Sequence, residues 1–314
     1  MIRQVPKIFF TLVMLAVLGA CSGDDSTTIN IEAPSNNGGD SSGGGDSSGG
    51  DSGGDSGGET PAECPAGTSE VSEGLCELPA TVDSDLTLTS GVSYLMTDRV
   101  TVGNGNGQLE TNGDGTLDDG SAVQSVTLTI EAGVEVRGKT GTFANLLITR
   151  GSKIMAMGTA DAPIVFSSDD VGYDGSGEWG GLIIHGYAPH NECAVGGSYC
   201  DIDSEGESGF AGGYDPDDSS GVLRYVVVAE GGYEFSTGNE INGISLVGVG
   251  RATEMDYIQV HGNSDDGIEF YGGNVNVKHG VFTNNNDDSV DWDEGYQGNL
   301  QYIIVKQGAS KGEA

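Results

Sequence analysis

The feature that most constrains this chain is an internal repeat in its C-terminal third. The stretch DDGIEFYGG at residues 265–273 returns 22 residues later as DDSVDWDEG at residues 287–295. A second motif, LRYVVV at residues 223–228, recurs as MDYIQV at residues 255–260 and as LQYIIV at residues 300–305. A period of about 22 to 25 residues matches one coil of three short strands, whereas a propeller blade is about twice as long. Leucine-rich repeats have a similar period, but their Leu-x-x-Leu-x-Leu pattern is missing here.

The region that contains these repeats has a sequence pattern typical of many short strands. β-Branched runs such as SVTLTIEAGVEV and WGGLIIHG alternate with Gly, Asn and Asp, and no stretch has helical periodicity of useful length. The sequence therefore predicts an all-β fold, a right-handed parallel β-helix built as a solenoid of three-strand coils over residues 81–314. Like positions of successive coils lie about 4.8 Å apart, so Ile268 and Phe270 should stack beneath Val290 and Trp292. The sequence stops in mid-coil, and we expect the solenoid to be incomplete at its C-terminus.

The N-terminus has the features of an exported chain. Arg3 and Lys7 precede an apolar run at residues 8–17 that is too short to span a bilayer. The LGAC that follows resembles the lipobox of bacterial lipoproteins, which implies a signal peptide at residues 1–20 and a lipidated Cys21. The alternative is an ordinary signal peptide with a chance cysteine at its cleavage site.

A polar linker follows this cysteine. From residue 35 to residue 58 the chain is almost only Gly, Ser, Asp and Asn, which predicts a disordered tether over residues 21–61. The acidic SGDD directly behind the cysteine resembles surface-export signals of some bacterial lipoproteins. We therefore expect an outer-membrane lipoprotein that is attached to the membrane through Cys21 and displayed at the cell surface.

The other four cysteines form two close pairs, Cys64 with Cys76 and Cys193 with Cys200. An exported chain meets an oxidising compartment, which favours two local disulfides and makes residues 62–80 a small disulfide-stapled segment. A zinc site is the alternative, but no histidine lies near the first pair and the second lacks metal-ligand spacing.

The formal net charge is −36, and no basic residue lies between Lys7 and Arg99. Such a chain is repelled by nucleic acid and by anionic lipid headgroups, and it can meet polyanions only through bridging cations. This charge excludes a nucleic-acid partner.

Two segments carry a family resemblance. GSKIMAMGTADAPIVFSS at residues 151–168 resembles the coil of many right-handed parallel β-helix proteins of the pectin-lyase-like kind. The longer run from GEWGGLIIHGYAP through MDYIQVHGNSDDGIEFYGG to the last repeat resembles a family of uncharacterised surface lipoproteins of Gram-negative bacteria, over roughly residues 120–314. The resemblance implies the fold and is silent on a reaction.

Acidic turns are the sharpest candidates for a site, because stacked coils bring their carboxylates together. Such a group repels itself unless it binds a cation or takes up protons, and calcium accepts oxygen ligands of this type. The alternative is a set of solvated Asx turns that cap backbone amides. The candidate metal ligands are Asp265, Asp266, Glu269, Asp287, Asp288 and Asp291.

A second candidate calcium loop is ETNGDGTLD, which Glu110 opens. Asn112, Asp114 and Asp118 fall at alternate positions with a glycine at the sixth, as in EF-hand loops. The loop departs from that pattern, since Ser121 stands where the bidentate glutamate belongs. An ordinary Gly/Asp loop is the alternative.

Catalysis is a further interpretation, since several β-helix enzymes cleave polysaccharides. Hydrolases of that fold use paired carboxylates, and lyases use calcium with a basic residue. Lys278 or Arg224 is the candidate base, with His261 or His279 assisting, but the Arg-x-Lys signature of pectin hydrolases is missing. The candidate acids are Asp265, Asp266, Asp287, Asp288 and Asp291.

Ligand contacts are predicted at three side chains, Tyr271, Trp179 and Arg224. Alternation along the strand places Tyr271 outward, where its ring could stack on a sugar, and Trp179 has the alternative role of closing the core. Arg224 should form an outward column with Asp256 and Lys278, either as a surface salt ladder or as part of a substrate groove.

We therefore expect a surface-anchored protein that binds an extracellular ligand without catalysis, either a polysaccharide or a cell-surface component such as a protein, as in adhesion. Calcium would stiffen its acidic turns. The rivals are a β-helix polysaccharide lyase or glycoside hydrolase, and a structural surface spacer. The sequence also places His185 in the core, and the segment 188–220 as a long loop suited to recognition.

Overall fold

The computed structural model describes residues 63–110, 115–203, 206–236 and 240–308. They belong to one compact unit that spans residues 62–314. The predicted signal peptide, Cys21 and the tether lie outside the described residues. In the described part, no helix is long and apolar enough to cross a membrane.

The described residues form 21 short strands and no α-helix. The strands are β1 Ser69–Ser72, β2 Leu75–Glu77, β3 Thr81–Val82, β4 Leu86–Leu88, β5 Ser93–Met96, β6 Val100–Val102, β7 Thr127–Ile130, β8 Glu135–Gly138, β9 Leu146–Ile148, β10 Lys153–Met157, β11 Ile164–Ser168, β12 Leu182–His185, β13 Ile202–Asp203, β14 Phe210–Ala211, β15 Gly221–Ala229, β16 Ile244–Val247, β17 Glu254–His261, β18 Ile268–Tyr271, β19 Asn276–Thr283, β20 Asp291–Asp293 and β21 Leu300–Lys306.

Parallel pairing between coils produces three faces. Face 1 contains β4, β7, β10 and the first halves of β15, β17, β19 and β21; face 2 contains β2, β5, β8, β11 and the second halves of those long strands. Face 3 contains β3, β6, β9, β12, β16, β18 and β20. The protein is therefore a parallel β-helix with three strands per coil, as the 22-residue period predicts.

The register of the last coils agrees with the repeats. Phe270 of β18 pairs with Trp292 of β20, and Asp256 of β17 lies between Arg224 and Lys278 in the neighbouring strands. Side chains at alternate positions point inward and form one continuous apolar core from β2 to the last coils. Register follows from this alternation, because a slip by one residue would turn the core side chains outward.

The corner between faces 1 and 2 consists of a single residue in each of the last four coils. Tyr225, Tyr257, His279 and Tyr302 occupy this position with φ of 51°, 56°, 51° and 60°. Residues other than glycine rarely adopt this left-handed backbone conformation, which costs about 1–2 kcal/mol per residue. The four rings stack with centroid separations of 4.4, 4.4 and 4.9 Å, which offsets part of that cost.

The outer side of face 3 is covered by the insert, defined here as residues 186–220 between β12 and β15. Arg150 holds the insert to the coils of the β-helix. Its side chain is fully buried and pairs with Asp201 of the insert at 2.9 Å. Its guanidinium also donates to backbone carbonyls of residues 105, 107 and 200 at 2.7–3.1 Å. Near the start of the insert, the buried His190 pairs with Glu294 in the turn after β20.

Both predicted disulfides are present, Cys64–Cys76 and Cys193–Cys200. Cys76 is fully buried in the core, and β2, which contains it, pairs in parallel with β5. The stapled segment is therefore continuous with face 2 of the β-helix. The second disulfide closes a short loop within the insert.

Candidate functional site

The predicted acidic residues lie on two successive coils at the edge between faces 2 and 3. Asp265 and Asp266 occupy the turn between β17 and β18, and Asp287 and Asp288 occupy the matching turn between β19 and β20. The two turns are hydrogen-bonded to each other, because the Asp288 N–H donates to Asp266 Oδ1 at 2.9 Å. A 22-residue repeat therefore brings a side chain of one turn into hydrogen-bond contact with the backbone of the next.

The carboxylate oxygens form two groups of three, and within each group they lie within 4.8 Å of one another. One group is Asp265, Asp266 and Asp287; the other is Asp266, Glu269 and Asp291. Asp266 belongs to both and is their centre. We refer to these five residues as the carboxylate cluster. Asp288 contributes its backbone N–H, and its own side chain is exposed.

Burial and like charge act together on Asp266, which is 7% exposed. Burial and, to a lesser extent, the charges of Asp265, Asp291 and Asp287 together raise the pKa of its carboxyl from 3.8 to about 8, and the hydrogen bond from Asp288 opposes this rise. At neutral pH the cluster therefore either holds a proton at Asp266 or requires a positive partner. Oxygen ligands in this number and spacing fit a hard divalent cation such as Ca²⁺.

The segment before β16 closes one side of the cluster. The buried Asn242 donates from its side-chain amide to Glu269 Oε2 at 2.5 Å and to the Tyr271 hydroxyl at 3.1 Å. Glu269 and Tyr271 point out of face 3, as alternation predicts, but both are buried beneath this cover. The sequence did not predict a role for Asn242. The coil that contains it is longer than 22 residues, so Asn242 cannot be aligned with a position of the repeat.

Two of the three side chains that were predicted to contact a ligand are buried in the structure. Tyr271 is only 6% exposed, since its ring packs against the insert beside Cys200, Ile202 and Val247. Trp179 is fully buried in the core, and its indole N–H donates to a backbone carbonyl at 2.7 Å. Neither ring presents a face that a sugar could reach.

Arg224 and Lys278 lie on face 1, away from the turns that carry the carboxylate cluster. Arg224 is partly exposed and pairs with Glu254, and Lys278 is exposed in register with Asp256. Asp256 itself pairs with His279 at 2.7 Å. The column of alternating charge is present, but the structure does not bring the candidate base Lys278 to the candidate acids.

The candidate EF-hand-like loop is only partly visible. Asn112 and Asp114 lie outside the described residues. Asp118 is exposed, and its backbone N–H donates to the Gln108 carbonyl at 2.8 Å. Calcium binding at this loop remains a prediction.

Two histidines are held in fixed surroundings. His185 is buried beneath the insert, where burial lowers its pKa to about 3, and its ring contacts the Phe210 carbonyl and the Ser208 hydroxyl, both at 3.1 Å. It is thus the satisfied core residue that was predicted. Burial also lowers the pKa of His261, whose ring contacts the Thr283 hydroxyl at 2.7 Å.

One cavity was not predicted. It has a volume of about 380 Å³ and lies where the insert meets the loop between β6 and β7. Tyr187 and Tyr214 lie within the insert, 27 positions apart, and no periodicity indicates that they converge. The side chains that line it include Leu109, Tyr187, Ser198, Tyr199, Tyr214 and Asp215.

The parallel coils and the stacked acidic turns define this protein as a member of the β-helix class. Residues 104–314 match the model of a family described as pectate-lyase like beta helix domain, and the chain belongs to this family. No curated protein and no solved structure matches the chain.

Proposed function

We propose that this chain is a lipid-anchored protein of the outer membrane that binds polysaccharide at the cell surface, with a divalent cation at the carboxylate cluster. The observation that carries the proposal is the pair of carboxylate triads sharing Asp266. A bound Ca²⁺ would neutralise these acids and offer open coordination positions to hydroxyl or carboxylate groups of a sugar chain. The family description, which refers to pectate lyases, supports polysaccharide as the ligand class.

The cation is tested by isothermal titration calorimetry with CaCl₂ on the full chain in detergent. Asp266→Asn and Asp291→Asn should each weaken Ca²⁺ binding at least tenfold, because each removes a charged ligand from a shared site. Asp161→Asn, at an exposed acid on a different turn, is the matched control and should leave the titration unchanged.

Polysaccharide binding is tested by retention on a panel of immobilised polysaccharides, with CaCl₂ or with a chelator. Retention should occur with calcium, weaken with the chelator, and be lost in Asp266→Asn. Retention that is unchanged by the chelator and unchanged in Asp266→Asn would overturn the role of the cluster. Absence of retention on every polysaccharide would favour a structural spacer.

A polysaccharide hydrolase is the second candidate. One observation favours it: a carboxyl with a raised pKa lies beside other carboxylates, which is the pattern of paired acid and base groups. Against it, Asp266 is nearly buried and is already bonded to the next turn. A lyase is favoured less, because Lys278 lies on face 1.

Catalysis is tested by incubating the same polysaccharides with the protein and measuring new reducing ends and unsaturated products. Release of either product that disappears in Asp266→Asn would establish an enzyme. Retention without release is the result that we expect.

A further inference from the structure

We infer that the cavity between the insert and the loop after β6 binds one sugar residue that carries no negative charge. We call this cavity the tyrosine pocket; it is lined by Tyr187, Tyr199, Tyr214, Ser198 and Asp215. The inference goes beyond the proposed function, because it concerns a second site on a different part of the surface that uses no cation.

The walls of the tyrosine pocket are fixed before a ligand arrives. Arg150 holds the insert and the loop after β6 together, since it binds Asp201 on one side and the carbonyl of Gly107 on the other. Asp201 also accepts a hydrogen bond from the Leu109 N–H at 3.0 Å. The Cys193–Cys200 disulfide closes the short loop that carries Ser198 and Tyr199. A preformed pocket loses little conformational entropy on binding.

The size of the pocket suits a small ligand. Its volume of about 380 Å³ lies near the lower end of the usual range for small-molecule sites, about 300–1,000 Å³. A volume of this size fits one sugar residue at the end or on a branch of a chain. The open faces of the β-helix would be the place for an extended polymer.

The lining matches the two kinds of surface on a pyranose ring. Aromatic faces carry partial negative charge and attract the polarised C–H groups on one side of the sugar. Tyr214 is oriented by its hydroxyl, which donates to the Ala194 carbonyl. The backbone N–H of Tyr187 donates to Asp218, and the centroid of the Tyr187 ring lies 5.8 Å from the guanidinium carbon of Arg150. Asp215 and the hydroxyl of Ser198 provide hydrogen-bonding groups at the rim for sugar hydroxyls.

Charge determines which sugars fit. Asp215 is the charged group of the described lining, which includes no lysine or arginine. Arg150 lies behind Tyr187, but its guanidinium is fully buried and already bound to Asp201 and to carbonyl groups. A uronate or sialate carboxyl would therefore meet a negative group without a compensating cation. A neutral hexose or an amino sugar meets no such repulsion, and an ammonium group gains from Asp215 and the rings.

The test is saturation-transfer NMR on the full chain in detergent, with chelator present throughout. The probes are methyl glycosides of a neutral hexose, of glucosamine and of a uronic acid, together with choline as a cation that is not a sugar. We expect transfer to the first two glycosides and none to the uronide. Equal transfer to the uronide, transfer to choline alone, or no transfer to any sugar would overturn the inference.

Variants connect the signal with the pocket. Tyr199→Ala should weaken binding at least tenfold, and Asp215→Asn should weaken binding of the amino sugar more than that of the neutral hexose. The second substitution keeps the side-chain oxygen that accepts the Asp217 N–H, so it preserves the turn if Tyr199→Ala does not fold. Tyr302→Ala, at an exposed tyrosine of the corner between faces 1 and 2, is the control. Unchanged binding in both pocket variants contradicts the inference.

Variants distinguish the tyrosine pocket from the carboxylate cluster, because a substitution in one site should leave binding at the other unchanged. Asp266→Asn should abolish calcium-dependent retention on polysaccharide and leave the NMR signal of the glycosides unchanged. Tyr199→Ala should weaken the NMR signal of the glycosides and leave calcium binding and calcium-dependent retention unchanged. Loss of both activities in Asp266→Asn would show that the pocket is no independent site.

Discussion

Asp266 combines burial with like charge from its neighbours in the carboxylate cluster. Its folded-state pKa of about 8 stands well above the unfolded value of 3.8. Between these values the folded protein binds a proton that the unfolded chain has lost. The proton stabilises the fold fully below about pH 4, and the stabilisation is lost as the pH rises to 8.

The first prediction is a stability that falls with rising pH. The free energy of unfolding in urea, without divalent cations, should be lower at pH 8 than at pH 5, by a difference on the order of 2–4 kcal/mol. Asp266→Asn removes the titrating group and keeps the oxygen that accepts the Asp288 N–H, so its profile should be flatter. Asp288→Asn, at an exposed side chain, serves as the control. A wild-type profile that rises between pH 5 and pH 8 would contradict the assignment.

Calcium should replace the proton. At pH 8, addition of CaCl₂ should raise the melting temperature of the wild-type protein, because a ligand that binds only the folded state stabilises it. The increase should be absent in Asp266→Asn. An equal increase in both proteins would place calcium at another site, such as the loop that contains Asp118.

Arg150 is the second residue on which much of the structure depends. Arg150→Met leaves Asp201 buried without its partner, and removal of one member of a buried pair typically costs about 3–5 kcal/mol. We expect a loss of that size in urea denaturation, together with loss of binding in the tyrosine pocket. Arg251→Met breaks an exposed pair with Asp217 and should cause no measurable change. Equal effects of the two substitutions would show that Arg150 does not fasten the insert.

At the scale of elements, the corner between faces 1 and 2 reverses an ordinary preference. Alanine normally suits a strand better than glycine, but Tyr257 has φ of 56°. Both substitutions remove the stacking with Tyr225 and His279, and only alanine keeps the strain. Tyr257→Gly should therefore be more stable than Tyr257→Ala by about 1 kcal/mol, measured by chemical denaturation. The opposite order would show that the corner relaxes when the ring is removed.

The strands and their register were predictable, because side-chain alternation and a 22-residue period are local properties of the sequence. Glu269 above Asp291 and Phe270 above Trp292 follow directly from them. Tyr271 marks where this reasoning stops. Alternation gives its direction from face 3, but only the tertiary structure shows that the insert folds back over it. The tyrosine pocket was unpredictable for the same reason, since its walls come from loops without periodicity.

At the scale of the molecule, the net charge of −36 determines which partners can approach. We predict that the protein will not be retained on immobilised DNA or on heparin in a chelating buffer, because long-range repulsion opposes both. Retention on heparin should appear only when calcium is supplied, and Asp266→Asn should not acquire it. Retention on either polyanion without calcium would contradict this charge argument.

The long-range contacts that hold the insert also bear on the order in which the molecule folds. His190 reaches Glu294 across 104 positions of sequence, and Arg99 reaches the carbonyl of Glu207 across 108. Each coil needs only the coil before it, and the contacts of Arg99 and Arg150 can form once the insert has been synthesised, but the contact of His190 requires the turn after β20. Contacts of such long range form slowly, so we expect the segment around His190 to be the last part of the insert to dock.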